Sequence, residues 1–372
     1  MKLIIQPDDG AAPLIAAIKS AKKSVEIAIF RFDHKAIESA LKAAAAERNV
    51  KVTALIASVN RGGEKTLRKL ETRFLETGIT VARTADDLVR YHDKFLLIDR
   101  RVLYVLSFNF IHLDIEHSRG FGIITEDHKW VHEAAKLFEA DSTRSPYEAG
   151  HDSFVVSPTN SRKALGDLLK GAKKHILIYD PKIADKEMLH ILQERAKAGV
   201  EIRIIGKVAG RNSFNAQKLA GSRLHTRTII CDGTHAFIGS QSLRTAELDA
   251  RRELGVIIED AKIVKKLIEV FESDWTPKGA DKEVSTKERD KEAAAEKQAE
   301  IAVEVFEQQL DPLAATVKNA VRKAVSKAGE EVLHDKDVKD TMKKVVKKAV
   351  KEAVKEATEE VHEAAHHNET PS

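Results

Sequence analysis

The chain holds a single cysteine, Cys231, in 372 residues. That excludes an intramolecular disulfide and a zinc cluster built on cysteines. Aromatic residues are scarce, at 5%, which weighs against the stacking surfaces used by nonspecific nucleic-acid enzymes. No uninterrupted apolar run approaches the roughly 20 residues of a membrane-spanning helix. The short apolar run at the N-terminus is broken at once by charges, which makes a poor secretion signal. Neither sign of charge dominates: 62 Lys and Arg against 58 Asp and Glu leave a net charge of +4. No overall field advertises nucleic acid or an anionic membrane. The lone thiol fits a reducing compartment, and a cytoplasmic location is expected.

What is present is a long repeat. "IIQPDDGAAPLIAAIKSAKKSVEIAIF" matches "VVSPTNSRKALGDLLKGAKKHILIYDP", with Pro7 on Pro158 and one "AKK" on the other. "NVKVTALI" lies opposite "GVEIRIIG", and "HDKFLLIDRRVLYVLSFN" opposite "HTRTIICDGTHAFIGSQS". Each copy closes on a helix, ending "LFEAD" in one and "VFESD" in the other. Units of this length are duplicated domains, not solenoid repeats. Helix and strand patterns alternate, so the class is α/β with at least partly parallel sheets. The organisation read from the sequence is a first copy over 1–150, a second over 151–280 and a tail over 281–372. The tail has no aromatic residue from Glu307 onward, and Ala, Val, Lys and Glu dominate it. Val317, Val321 and Val325 recur at helical spacing, so helix packing or self-association is expected of it ahead of membrane anchoring.

The chemistry-bearing residues recur with the repeat. His92 and Lys94 are two apart on a strand pattern, as are His225 and Arg227, so each pair shares a face. Each histidine is followed at seven residues by an aspartate, Asp99 or Asp232, and at fifteen by a serine, Ser107 or Ser240. Asn109 and Ser242 complete the two clusters. The odd spacing of Asp99 and Asp232 from the histidines gives them a structural role at the turn after each strand.

These residues resemble the phospholipase D superfamily, whose signature is H-x-K-x4-D followed by a G-S-x-N-like turn. The resemblance covers about residues 3–276. It implies a duplicated phospholipase D-like fold of α/β/α layers with mixed sheets, plus an α-helical tail, and one active site shared by both copies. It implies phosphodiester chemistry through a phosphohistidine, with no cofactor and no metal. Lys94 and Arg227 would neutralise the phosphate oxygens, and Asn109, Ser107, Ser240 and Ser242 would donate hydrogen bonds to them. His92, in the more complete motif, is assigned as nucleophile. His225 is assigned as proton shuttle, with Glu253 of "RRELG" as the carboxylate that orients it. Gly120 stands opposite Glu253, which leaves His92 without an equivalent partner unless Asp114 or Glu116 serves. Other histidines, including His112, His117 and His235, show no metal spacing and are expected on the surface.

Arg227 and Ser242 stand where the family has lysine and asparagine. Three readings therefore stay open: a phosphodiesterase on phospholipid, by hydrolysis or headgroup transfer; a nuclease of the same superfamily; and a noncatalytic phosphate- or lipid-binding scaffold. "NRGGEKTLRK" at 60–69 and "GRNSFNAQK" at 210–218 are basic loops that would border the cleft.

Overall fold

The structure is a computed structural model that describes residues 1–58, 64–210 and 213–275. The expected helical tail, and parts of the two basic loops, lie outside the described residues. The first copy runs β1 (Lys2–Gln6), α1 (Ala12–Ser20), β2 (Ser24–Ile29), α2 (Lys35–Ala46), β3 (Lys51–Ile56), α3 (Glu64–Leu75), β4 (Thr80–Arg83), β5 (Arg90–Tyr91), β6 (Phe95–Ile98), β7 (Val102–Leu106), α4 (His112–His117), β8 (Ser118–Thr125) and α5 (His128–Thr143). The second runs β9 (Phe154–Ser157), α6 (Ser161–Gly171), β10 (His175–Ile183), α7 (Lys186–Lys197), β11 (Glu201–Val208), β12 (Asn215–Gln217), β13 (Arg223–Leu224), β14 (Arg227–Cys231), β15 (His235–Gly239), α8 (Thr245–Asp249), β16 (Arg251–Ile258) and α9 (Ala261–Trp275).

Each copy builds one mixed sheet. The first is ordered β1-β8-β7-β6-β2-β3-β4, and the second runs β12-β11-β10-β14-β15-β16 with β9 also paired to β16. The β2–β3–β4 and β10–β11–β12 ladders are parallel, and the others within each copy are antiparallel. A helix crossover separates β2 from β3 and β10 from β11, as parallel neighbours require.

The apolar strand runs follow from burial on both faces. Along β6, Phe95 and Leu97 enter a core shared by the two copies, while Leu96 and Ile98 enter the first copy's outer core. Strand β14 does the same, sending Ile230 inward and Ile229 and Cys231 to the second copy's outer core. A half-exposed strand would alternate apolar with polar; these strands alternate between two cores. Cys231 is 3% exposed, and burial pushes its thiol up to about 12. The shared core also takes Trp130, Leu137 and Phe138 of α5 and Val264, Leu267 and Phe271 of α9.

Two exchanges lock the copies together. Strand β5 of the first copy pairs with β16 of the second sheet, Arg90 opposite Arg251 and Tyr91 opposite Arg252. Strand β13 of the second copy pairs with β8 of the first sheet, Arg223 opposite Ser118 and Leu224 opposite Arg119. The closing helices repeat the crossing. Asp141 of α5 binds Arg252, and Asp274 of α9 binds Arg119. Among the described residues no helix is long and apolar enough to cross a membrane.

Candidate active site

The exchanged strands deliver the histidines. His92 follows β5 directly, and its N–H donates to Arg252 O at 2.7 Å; His225 follows β13, and its N–H donates to Arg119 O at 3.2 Å. Each histidine is thus anchored on the other copy's sheet, at the seam between them. Both are buried, as are Lys94, Asn109, Arg227, Ser242 and Glu253. Lys94 Nζ donates to His92 O, and Arg227 Nη1 donates to His225 O at 2.6 Å, so each cation folds back onto its own motif.

Asp99 and Asp232 lie away from this seam. Each sits in the left-handed region, at φ +54° and +55°. The Asp99 carboxylate accepts from the backbone N–H groups of Lys22, Lys23 and Ser24, and that of Asp232 accepts from Lys173, Lys174 and His175. The motif aspartate thus satisfies the backbone amides that open β2 and β10, within and just after the repeated "AKK". Burial works against the charge of both carboxyls, but three amides apiece hold each below its ordinary value.

The structure corrects the placement of Glu253. Its Oε2 lies 2.8 Å from Nδ1 of His92, not on His225. The sequence alignment places Glu253 in its own copy's motif; strand exchange brings it under the other copy's histidine. His225 instead places Nδ1 3.0 Å from Ser107 O, with Asp114 Oδ2 3.4 Å from Nε2. Asp114 also accepts from the backbone and side-chain amides of Asn109 at 2.8 and 2.7 Å and pairs with Arg223. Glu247 occupies the equivalent place in the second copy and accepts from Ser242 N.

Phosphate donation by Ser240 and Ser242 also needs correction, because both hydroxyl hydrogens are committed within the fold. The Ser107 hydroxyl accepts from Phe121 N, and the Ser240 hydroxyl accepts from Leu254 N and donates to Leu254 O. Both hydroxyls close the sheet ladder beside the motif, Ser240 with its hydrogen committed to Leu254 O and Ser107 only as an acceptor. Ser242 Oγ donates to Asp180 at 2.8 Å. Asn109 spends one of its two amide hydrogens on Asp114 and keeps the second available.

The electrostatics are those of cations held out of water. Burial, with Lys94, Arg227, Arg90 and Arg251 nearby, holds His92 well below the ordinary histidine value. Burial lowers Lys94 to about 7, with Arg227 adding repulsion and Glu253 and Asp114 opposing it. Burial and Glu247 push Glu253 up to about 8. Burial beside Arg251 lowers even Arg90, to about 10. An anion entering this seam would relieve the repulsion and restore the charges.

Two features escaped the sequence. The crossed pairs Arg252–Asp141 and Arg119–Asp274 were hidden because their partners lie more than 100 residues apart, although the repeated terminal aspartates of "LFEAD" and "VFESD" marked them. His34, His112 and Glu116 come together outside the seam. The spacing His112-x3-Glu116 on one helix was their available signal. Glu116 is thereby placed with this group and not with His92.

A family model described as "Cardiolipin synthase, PLD-like domain" matches residues 14–142 and 165–275. A curated protein of Rattus norvegicus, "5'-3' exonuclease PLD3", is 30% identical over 106 residues, 24% of this chain and 22% of that one. The chain therefore matches about a fifth of that relative's length. The crystal structure of polyphosphate kinase from Porphyromonas gingivalis superposes with a TM-score of 0.62 at 20% identity, covering 73% of this chain and 46% of that one. Phosphatidylserine synthase from Haemophilus influenzae superposes with a TM-score of 0.57 at 10% identity, covering 73% and 85%. At these identities the structural likeness concerns the fold.

Proposed function

The chain belongs to the phospholipase D-like family, and from that premise we propose that it is a phosphodiesterase working through a phosphohistidine on His92. The observation that carries this reading is the buried His92–Glu253 pair facing Lys94 and Arg227 at the seam. With Nδ1 held by Glu253, Nε2 is the nitrogen left to attack phosphorus. The P–N bond forms as the bond to the leaving oxygen breaks, and His225 supplies the proton that oxygen needs. Water or an alcohol then attacks phosphorus while His225 takes its proton, and the P–N bond breaks. Lys94 and Arg227 balance the charge on the non-bridging oxygens, and the second amide hydrogen of Asn109 is directed to one of them.

The substrate class proposed first is a phospholipid headgroup ester, consistent with balanced charge and few aromatics. A nucleic-acid phosphodiester is the second reading, favoured by the stretch 30% identical to an exonuclease. A cytoplasmic location and a self-associating tail belong to the same proposal. The test is turnover by the full chain of phosphatidylcholine vesicles, single-stranded DNA and bis(p-nitrophenyl) phosphate, each beside His92→Asn. Choline release lost in the variant supports the first reading, and DNA cleavage lost in the variant supports the second. Anion binding without turnover of any of the three would replace both with a binding module.

A further inference from the structure

His34, His112 and Glu116 are, among the described residues, the one group of three side chains whose ligand atoms all fall within 4.8 Å of one another. His34, in the loop between β2 and α2, is only 4% exposed, and neither of its ring nitrogens makes a hydrogen bond. It stands at the N-cap of α2 yet caps nothing. Its ring stacks on His112 with centroids 4.4 Å apart. Glu116 Oε1 lies 3.0 Å from His112 Nδ1 and 3.5 Å from His34 Nε2. Ligand atoms about 2.05 Å from a tetrahedral ion stand about 3.4 Å apart, so the two spacings to Glu116 already suit one, and the two imidazole nitrogens lie within 4.8 Å of each other.

The second copy shows what this place normally holds. Residues 7–34 align with 158–185 without a gap, and 92–125 align with 225–258. His34, His112 and Glu116 therefore correspond to Asp185, Thr245 and Asp249, and Ala11 corresponds to Arg162. In the second copy Arg162 sits among its partners, 2.8 Å from Asp185 and 2.6 Å from Asp249, while Thr245 Oγ donates to Asp185. There Asp185 also caps α7 through its side chain. A guanidinium fills a polar pocket of carboxylates. In the first copy Ala11 removes the guanidinium, and two of the oxygen donors become imidazoles. That is the exchange expected if a different cation takes the arginine's place, one that prefers nitrogen donors.

We propose that His34, His112 and Glu116 bind a divalent transition-metal ion, Zn2+ by donor set, with water at the fourth position. Two histidines and one carboxylate suit zinc better than magnesium or calcium, which take oxygen. The ion ties the β2–α2 loop to α4. Because α4 also carries Asp114, the partner of Asn109, the metal stiffens one wall of the seam without touching substrate.

The test uses the full chain, freed of metal with a chelator and titrated with Co2+ and then Zn2+. The sequence also carries His362, His366 and His367, so the titration is run in a background with all three replaced by Ala. The expected result is one Co2+ per chain with visible absorption of a nitrogen-containing site, displaced by Zn2+, and a melting temperature raised by Zn2+. His112→Ala and Glu116→Gln change residues that are 50% and 45% exposed at the side chain, so the fold should survive both. Each should weaken binding by at least about tenfold and abolish the Zn2+ stabilisation. No stoichiometric ion at micromolar concentrations, or equal binding by both variants, would overturn the site.

Discussion

The two copies share a scaffold and differ in what surrounds each motif histidine. Asp99 and Asp232 close equivalent turns, Asp141 and Asp274 cross to equivalent arginines, and Asp114 and Glu247 accept from equivalent amides. The asymmetry lies in what backs each imidazole. At Nδ1 His92 has a buried carboxylate and His225 a main-chain carbonyl, the Asp114 carboxylate lying 3.4 Å from the other nitrogen of His225. Packing enforces the difference: a Cβ on Gly120 would lie 2.9 Å from Phe108 Cδ1, so the first copy has no room for its own glutamate. Only one histidine has a carboxylate on Nδ1, and it is the one from the more complete motif. A duplicated fold has become one site with two unlike halves.

The largest test of that difference removes each histidine in turn. His92→Asn should cost on the order of 10^4-fold or more in turnover, because no phosphohistidine can form. His225→Asn, given a nitrophenyl phosphodiester, should release about one equivalent per site and then stall. The leaving group needs no proton, but the second step still needs a base. A burst in the His92 variant and none in the His225 variant would reverse the assignment.

A smaller loss is expected at the carboxylate. Glu253→Gln keeps the shape and removes the ionisable carboxyl group that holds His92 Nδ1, and should lower kcat by about 10^2- to 10^3-fold with little change in KM. Adding Gly120→Glu should not restore activity, because Phe108 occupies the space and the new carboxylate would lie on the His225 side. Equal activity of Glu253→Gln and the parent would mean that the carbonyl-backed and carboxylate-backed imidazoles are equivalent.

The fold class was legible because repetition is visible in one dimension: "AKK", the paired H-x-K and H-x-R motifs and the two closing helices mark the same elements twice. The histidines and their cations were legible for the same reason. Glu253 was legible as a residue but not in its partnership, since alignment within a copy says nothing of which copy a strand crosses to. The commitment of the Ser240 hydroxyl to Leu254 O was not legible, because a motif hydroxyl and a sheet-closing hydroxyl look alike in sequence. His34 could not be tied to His112 and Glu116, because the link runs through a tertiary contact between the β2–α2 loop and α4. The comparison that exposes it, Ala11 against Arg162, becomes meaningful only once Arg162 is seen among its partners.

The finest distinction between the copies is lysine against arginine. Burial holds Lys94 at about 7 in the free site, whereas an arginine stays charged across the working range. An anion beside Lys94 favours its charged form and lifts its pKa toward the ordinary lysine value. Above pH 7, anion binding must therefore take up a proton at Lys94. Affinity should fall as pH rises between the free and bound values, by up to about tenfold per unit. Tungstate serves as the anion because its own charge is constant in that range. Calorimetry in two buffers of different ionisation enthalpy counts the protons. Lys94→Arg should bind tungstate with about one proton fewer and a flatter pH dependence, and Arg227→Lys should add proton uptake where the parent has none. Uptake that is the same in the parent and in Lys94→Arg would show that the lysine is already charged in the empty site, and the two copies would then differ in shape at this position but not in charge.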